Sequence, residues 1–199
     1  SLRREQGREN EALADLEEAL RWAPSLERRA SIALKRAATL SQIERYAEAF
    51  AELSRVEPFL ESGRGTLRLR LMVEFNLAWN LCFLTRFDEA QDRLTQKVLP
   101  LILELGNGLD LLRVRWLEAR VAEGLGRRDE AAERLREVWQ AFAERKISFD
   151  AALAVLELAA VELDRGRTRE VKALAATAAP VFVAQALPRE LLASLQLFW

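Results

Sequence analysis

Five short stretches of this 199-residue chain repeat one pattern at a nearly fixed interval. GRENEA ends at Ala12, ERYAEA at Ala49, TRFDEA at Ala90 and GRRDEA at Ala131, each alanine five residues after a glycine or a residue standing in for it. GRTREV supplies the fifth case, with Val171 in the alanine slot. The intervals are 37, 41, 41 and 40 residues. A period in that range is the mark of stacked units, none of which buries its apolar face alone.

Each unit reads as a helical hairpin. Before the marker, apolar residues recur at helical spacing, as in Leu77, Leu81 and Leu84 or Leu117, Val121 and Leu125. The glycine position ends that helix where a positive φ is convenient. A second helix then carries the small residue at its closest approach to the first. Larger apolar residues follow it, in the pairs Leu53 and Val56, Leu94 and Val98, Leu135 and Val138. Pro24, Pro58, Pro100 and Pro180 fall near the ends of these second helices, where a missing backbone donor kinks or stops them.

Composition agrees with helices and removes several kinds of chemistry. Leu, Ala, Glu and Arg dominate, half the residues are hydrophobic, and 30 basic residues offset 31 acidic ones. Such a balance argues against nucleic acid or an anionic membrane as the main partner. The chain has no histidine, which removes the usual general base and the commonest metal ligand. Cys82 is the only cysteine and lies in the apolar LAWNLCFL, so a buried, inert thiol is expected. Acidic pairs such as Glu17–Glu18 and Asp88–Glu89 read as solvated faces, and Arg64, Arg68 and Arg70 in RGTLRLR as a solvated helix start. The glycines of GLGRRDE and ESGRGTLR lack the strand context and lysine of a phosphate loop. No catalytic residue, cofactor or metal site is expected. The longest uncharged run, residues 173–188, has 16 residues and two prolines. That is short of the ~20 needed to span a bilayer. With SLRREQGREN charged from its third residue, a soluble, cytoplasmic chain is expected.

The segment VEFNLAWNLCFLTRFDEAQDRL resembles the tetratricopeptide repeat family. Leu77, Ala78, Leu81, Phe87, Ala90 and Leu94 stand at that family's Leu, Gly, Tyr, Tyr, Ala and aromatic positions. The first unit keeps Gly7, Ala12, Leu16, Ala19 and Pro24 without a leading helix. Glu118 in the fourth unit, and Glu162 and Arg165 in the fifth, occupy positions where the family has core residues. The period near 40 is similar to the sensor arrays of bacterial transcription regulators, such as the maltose-responsive type and peptide-responsive quorum regulators. The resemblance implies an all-α fold, an α-solenoid wound as a right-handed superhelix of about four and a half hairpins. The expected array spans residues 1–199, divided as 1–24, 25–62, 63–106, 107–146, 147–187 and 188–199.

In that family the first helix of each repeat lines a concave groove. The corresponding positions are Met72, Phe75, Trp79 and Cys82 in the third unit and Arg113, Trp116, Arg120 and Glu123 in the fourth. They are Ser31, Leu34, Ala38 and Ser41 in the second, and Leu153, Leu156, Ala160 and Leu163 in the fifth. Phe75, Asn76, Trp79, Arg113, Trp116 and Arg120 are therefore the candidate partner-binding residues, with the two arginines holding a carboxylate beside the indoles. The competing reading makes the aromatic residues core and pairs Arg120 with Glu123 or Glu157. Asn76 and Arg113 match two positions of the family's chaperone-binding clamp, but Leu117 breaks the set. The expected function is a protein- or peptide-binding scaffold, the interaction or sensor region of a larger regulatory protein. The alternatives are a small-ligand sensor and a purely intramolecular scaffold. The terminal RELLASLQLFW, from Arg189 to Trp199, is expected to pack around Phe182 and Leu187 and to promote self-association through an uncapped end.

Overall fold

A computed structural model describes residues 2–184, with side chains from residue 8 onward. The described residues are helical and contain no strand. The chain divides into two compact units, Ser1–Gly106 and Asn107–Trp199. In the first lie α1 (Leu2–Arg21), α2 (Leu26–Gln42), α3 (Tyr46–Ser54), α4 (Glu57–Glu61), α5 (Leu67–Phe83), α6 (Phe87–Arg93) and α7 (Leu99–Leu105). A π-helical segment, Leu94–Val98, joins the last two into one rod. The second unit holds α8 (Gly108–Gly124), α9 (Arg128–Glu144), α10 (Ser148–Asp164) and α11 (Thr168–Ala184). Within each unit, helices adjacent in sequence pack on one another, and α5 also packs on α2 and α3.

Two kinds of signal start the helices. The first helices of three hairpins follow a loop, and a side chain caps each one. Ser25 accepts from the Arg28 amide (3.2 Å), Thr66 from Leu69 (3.2 Å) and Asn107 from Leu109 (2.9 Å). The second helices start directly from a tight turn. Glu44, Thr85, Gly126 and Gly166 adopt φ of 64°, 57°, 76° and 72°, so the marker position is left-handed in each case. The flanking amides close the turn in both directions. Arg45 N donates to Leu40 O (2.9 Å) and Glu44 N to Ser41 O (3.1 Å), the paired bonds of a Schellman motif. Arg86/Thr85, Arg127/Gly126 and Arg167/Gly166 repeat them. So does Ile147/Lys146 between α9 and α10, where Lys146 is left-handed at φ 58° although no glycine marks the site. Gly7 departs from the pattern: it lies inside α1, not at a turn.

An arginine brackets each marked turn. Arg45 pairs with Glu48 (2.6 Å), Arg86 with Glu89 (2.6 Å), Arg127 with Glu130 (3.1 Å) and Arg167 with Glu170 (3.8 Å). Hydrogen bonding to the arginine holds the carboxyls of Glu48 and Glu89 below their ordinary range. Beyond the bracket comes the small residue. Ala49, Ala90 and Ala131 are fully buried and Val171 nearly so, which lets the two helices of a hairpin approach closely. Leu53, Leu94, Leu135 and Leu174 continue the buried stripe one turn further on. Each fully buried leucine contributes roughly 1.5–3 kcal/mol.

The prolines act in different ways. Pro24 lies beyond the end of α1, Pro58 is in the first turn of α4, and Pro180 stays inside α11. Pro100 follows the π-helical segment. It cannot donate to Gln96, and just upstream the Leu99 amide bonds to Leu94, five residues back.

Residues that break the apolar pattern are neutralised by arginine. Glu118, at an expected apolar position, accepts from Arg134 (2.9 Å) across the hairpin. Glu162 is fully buried and bonds to both Arg136 and Arg165 (2.8 Å for the latter), with Arg167 at 3.6 Å. A buried charge is tolerated only with such partners. The expected packing and self-association of Arg189–Trp199, with Leu187, lie outside the described residues. Phe182 is fully buried and meets Phe149 edge-on at 6.4 Å.

Candidate functional site

The groove candidates fall in both units. In the first, α5 presents Phe75, Trp79 and Phe83 at four-residue spacing, one stripe of a helix. Their rings form a ladder. Phe75 and Trp79 are stacked at 5.8 Å, and Trp79 and Phe83 are tilted at 5.9 Å. Tyr46, at the start of α3, stacks on Phe83 at 4.2 Å and 7°. All four rings, and Met72 beside them, are half-buried. Such contacts stabilise the rings against one another and leave part of each surface open.

Cys82 is buried, as its apolar surroundings led one to expect, and so contributes little surface to the face that the family resemblance implied for it. The next residue, Phe83, is half-buried and continues the aromatic stripe. Asn76 is half-buried, and its Nδ2 donates to the Met72 carbonyl at 2.7 Å. The sequence reading missed Asn80. It is fully buried, donates to Asn76 O (2.7 Å) and accepts from Ser41 Oγ (2.8 Å), tying α2 to α5. A lone amide inside LAWNLCFL was the available signal. On α2, Ser31, Leu34 and Ser41 are half-buried and Ala38 is exposed.

In the second unit Arg120 and Trp116 meet a carboxylate of the same chain, and Arg113 does not join them. Arg120 donates twice to Glu157 of α10, from Nη2 to Oε1 (2.6 Å) and from Nε to Oε2 (3.1 Å). Trp116 Nε1 donates to the same Oε2 at 2.8 Å. Trp116 is only 7% exposed, with its indole edge-on to Phe142 at 5.8 Å. The carboxylate that Arg120 and Trp116 hold here comes from α10 of the same chain. Trp116 packs as core, and Arg120 pairs across helices with one of the two carboxylates named as its rivals. Glu123 is exposed. Arg113 remains partly exposed, 3.6 Å from buried Asp110. Along α10, Leu153 and Leu156 are half-buried, while Ala160 and Leu163 are exposed.

Among the described residues no three His, Cys, Asp or Glu side chains gather as a metal site, and no helix is long and apolar enough to cross a membrane. Other buried carboxylates are held as Glu162 is. Glu52 accepts from Arg36 and Arg55, both at 3.1 Å, and Glu74 accepts from Arg93. The class these features define is an all-helical protein of consecutively packed hairpins. No protein-family model matches the chain, and no curated protein matches it either.

Proposed function

We propose that the chain is a binding scaffold. Its hairpins stack as an α-solenoid of the tetratricopeptide type and hold a protein or peptide segment against the first helices of the repeats. The observation that carries this reading is the half-buried ladder Phe75–Trp79–Phe83–Tyr46. Rigid aromatic surface of this kind is what protein-binding hot spots use. Repeated Schellman turns at a period near 40 residues support the solenoid, and the same period supports an interaction or sensor role in a regulatory protein.

Panning the intact chain against a displayed random-peptide library tests the proposal. Enriched peptides should lose at least tenfold in affinity to Phe75→Ala and Trp79→Ala variants that retain their helical circular dichroism. Enrichment that ignores both substitutions defeats the aromatic face as the binding surface. A second reading, an intramolecular scaffold, is favoured in the second unit by Glu157, which already satisfies Trp116 and Arg120.

A further inference from the structure

In the first unit, charge is divided between the two kinds of helix. The first helices of its hairpins, α2 and α5, carry six cations against two acids. The second helices, α1, α3 and α6, carry eleven acids against five cations. Of the two acids in α2 and α5, Glu74 is buried on Arg93, which leaves Glu27 alone at the surface. The whole chain is close to neutral, so this asymmetry is one of placement. In the second unit α8 and α10 carry seven acids against three cations, so the positive side belongs to the first unit.

The cations and the aromatic ladder share one pair of helices. Leu69, Val73 and Leu77 of α5 join Ala30, Ala37 and Leu40 of α2 in one core cluster. Ser41 and Asn80 tie the two helices together, and Tyr46 stacks on Phe83 at their C-terminal ends. Along α2, Arg28, Lys35, Ala38 and Gln42 are exposed at the spacing of one stripe. On α5, Arg68 is exposed at the head of the stripe that runs on through Met72, Phe75, Trp79 and Phe83. Cations therefore lead both stripes, and rings close the second.

We propose that the α2–α5 face takes an acidic peptide segment carrying an aromatic or large aliphatic anchor. This rests on the binding-scaffold reading of the ladder and names its partner. The anchor packs on Phe75 and Trp79, and the carboxylates meet Arg68, Lys35 and Arg28. Arg68 and Trp79 are roughly 16 Å apart along the helix axis. An extended peptide covers that distance in about five residues, which sets the spacing between acids and anchor.

The peptides enriched by panning on the intact chain test this. Those that depend on Phe75 and Trp79 should carry Asp or Glu about five residues from an apolar anchor. Changing those acids to their amides should weaken binding at least tenfold, as should Lys35→Glu combined with Arg68→Glu. Arg145→Glu, exposed in the second unit, should leave it unchanged. If the double variant loses its helical circular dichroism, the amide peptides decide alone. Ladder-dependent peptides without acids, or undiminished by amidation, overturn the proposal and leave the scaffold reading standing. Absence of ladder-dependent peptides defeats both. The proposal also falls if a dT oligonucleotide binds as tightly as the peptides and is lost in the double variant. Sedimentation showing self-association that the double variant abolishes would assign the face to a second copy instead.

Discussion

Arg36 and Glu52 stand eight residues before and eight residues after Glu44, the left-handed residue of their turn, and meet across the hairpin at 3.1 Å. Glu118 and Arg134 occupy the same two positions about Gly126 with the charges exchanged. In the hairpin turned at Thr85, Arg93 keeps the later position, but Leu77 holds the earlier one and the acid comes from Glu74, nearly one helical turn before it. The equal spacing follows from antiparallel helices leaving a shared, fixed turn. Glu52 and Arg36 are 8% and 20% exposed, so truncating either leaves its partner largely buried. Glu52→Ala should cost about 2–3 kcal/mol in urea unfolding. The exchange Arg36→Glu with Glu52→Arg should recover much of that, as Glu118–Arg134 already tolerates this polarity.

Thr85 is β-branched at φ 57°, a conformation such a residue adopts only under strain. Replacing it with glycine removes the strain and adds some freedom to the unfolded chain. The net expectation is a gain of roughly 0.5–1 kcal/mol. A higher urea midpoint with an unchanged slope is the measurement. The same change at Ala90, which is fully buried, should act in the opposite direction.

Ala131 is fully buried where α8 and α9 cross. Ala131→Leu should destabilise by about 1–3 kcal/mol through overpacking. Thermal denaturation reads this directly, and an unaffected melting temperature would place the close contact elsewhere.

Arg120→Glu sets a second acid against Glu157 and removes the two hydrogen bonds between them. Both side chains are about one-fifth exposed, so screening is partial. A loss of about 2 kcal/mol is expected. Glu157→Gln in the same background should recover part of it. If the single change leaves unfolding unaltered, the clamp contributes nothing to the fold.

Burial raises the Glu74 carboxyl above its ordinary value of 4.5, against the pull of Arg93. The folded protein then holds this proton more tightly than the unfolded chain. Stability from this group is full below pH 4.5 and is lost as the pH rises through the raised value. Glu74→Gln should remove that falling component. Unfolding free energies of the two proteins, compared from pH 4 to pH 7, should shift in favour of the variant as pH rises.

Turn sites and close-contact alanines were legible because they depend on local backbone geometry, which a short pattern encodes. Equating Glu44 and Thr85 with glycine was justified by their φ values. Lys146 was not legible, since nothing in AERKISF distinguishes a left-handed lysine. Gly7 matched the pattern and makes no turn, since it lies inside α1 with helical residues on both sides. Side-chain partners were harder still. Arg120 lies 37 residues from Glu157, and sequence alone left its partner open between Glu123, Glu157 and another molecule.

Each marked turn carries its own stop, its own left-handed residue and its own arginine bracket, all within about ten residues of sequence. The backbone bonds and arginine bracket of each turn are made within that turn, and Arg165, beside Gly166, adds an ion pair to Asp129 of the marked turn before it (2.5 Å). Duplicating one hairpin in the gene therefore copies a finished folding instruction, and a chain built this way can change length by whole hairpins without a new hinge being invented.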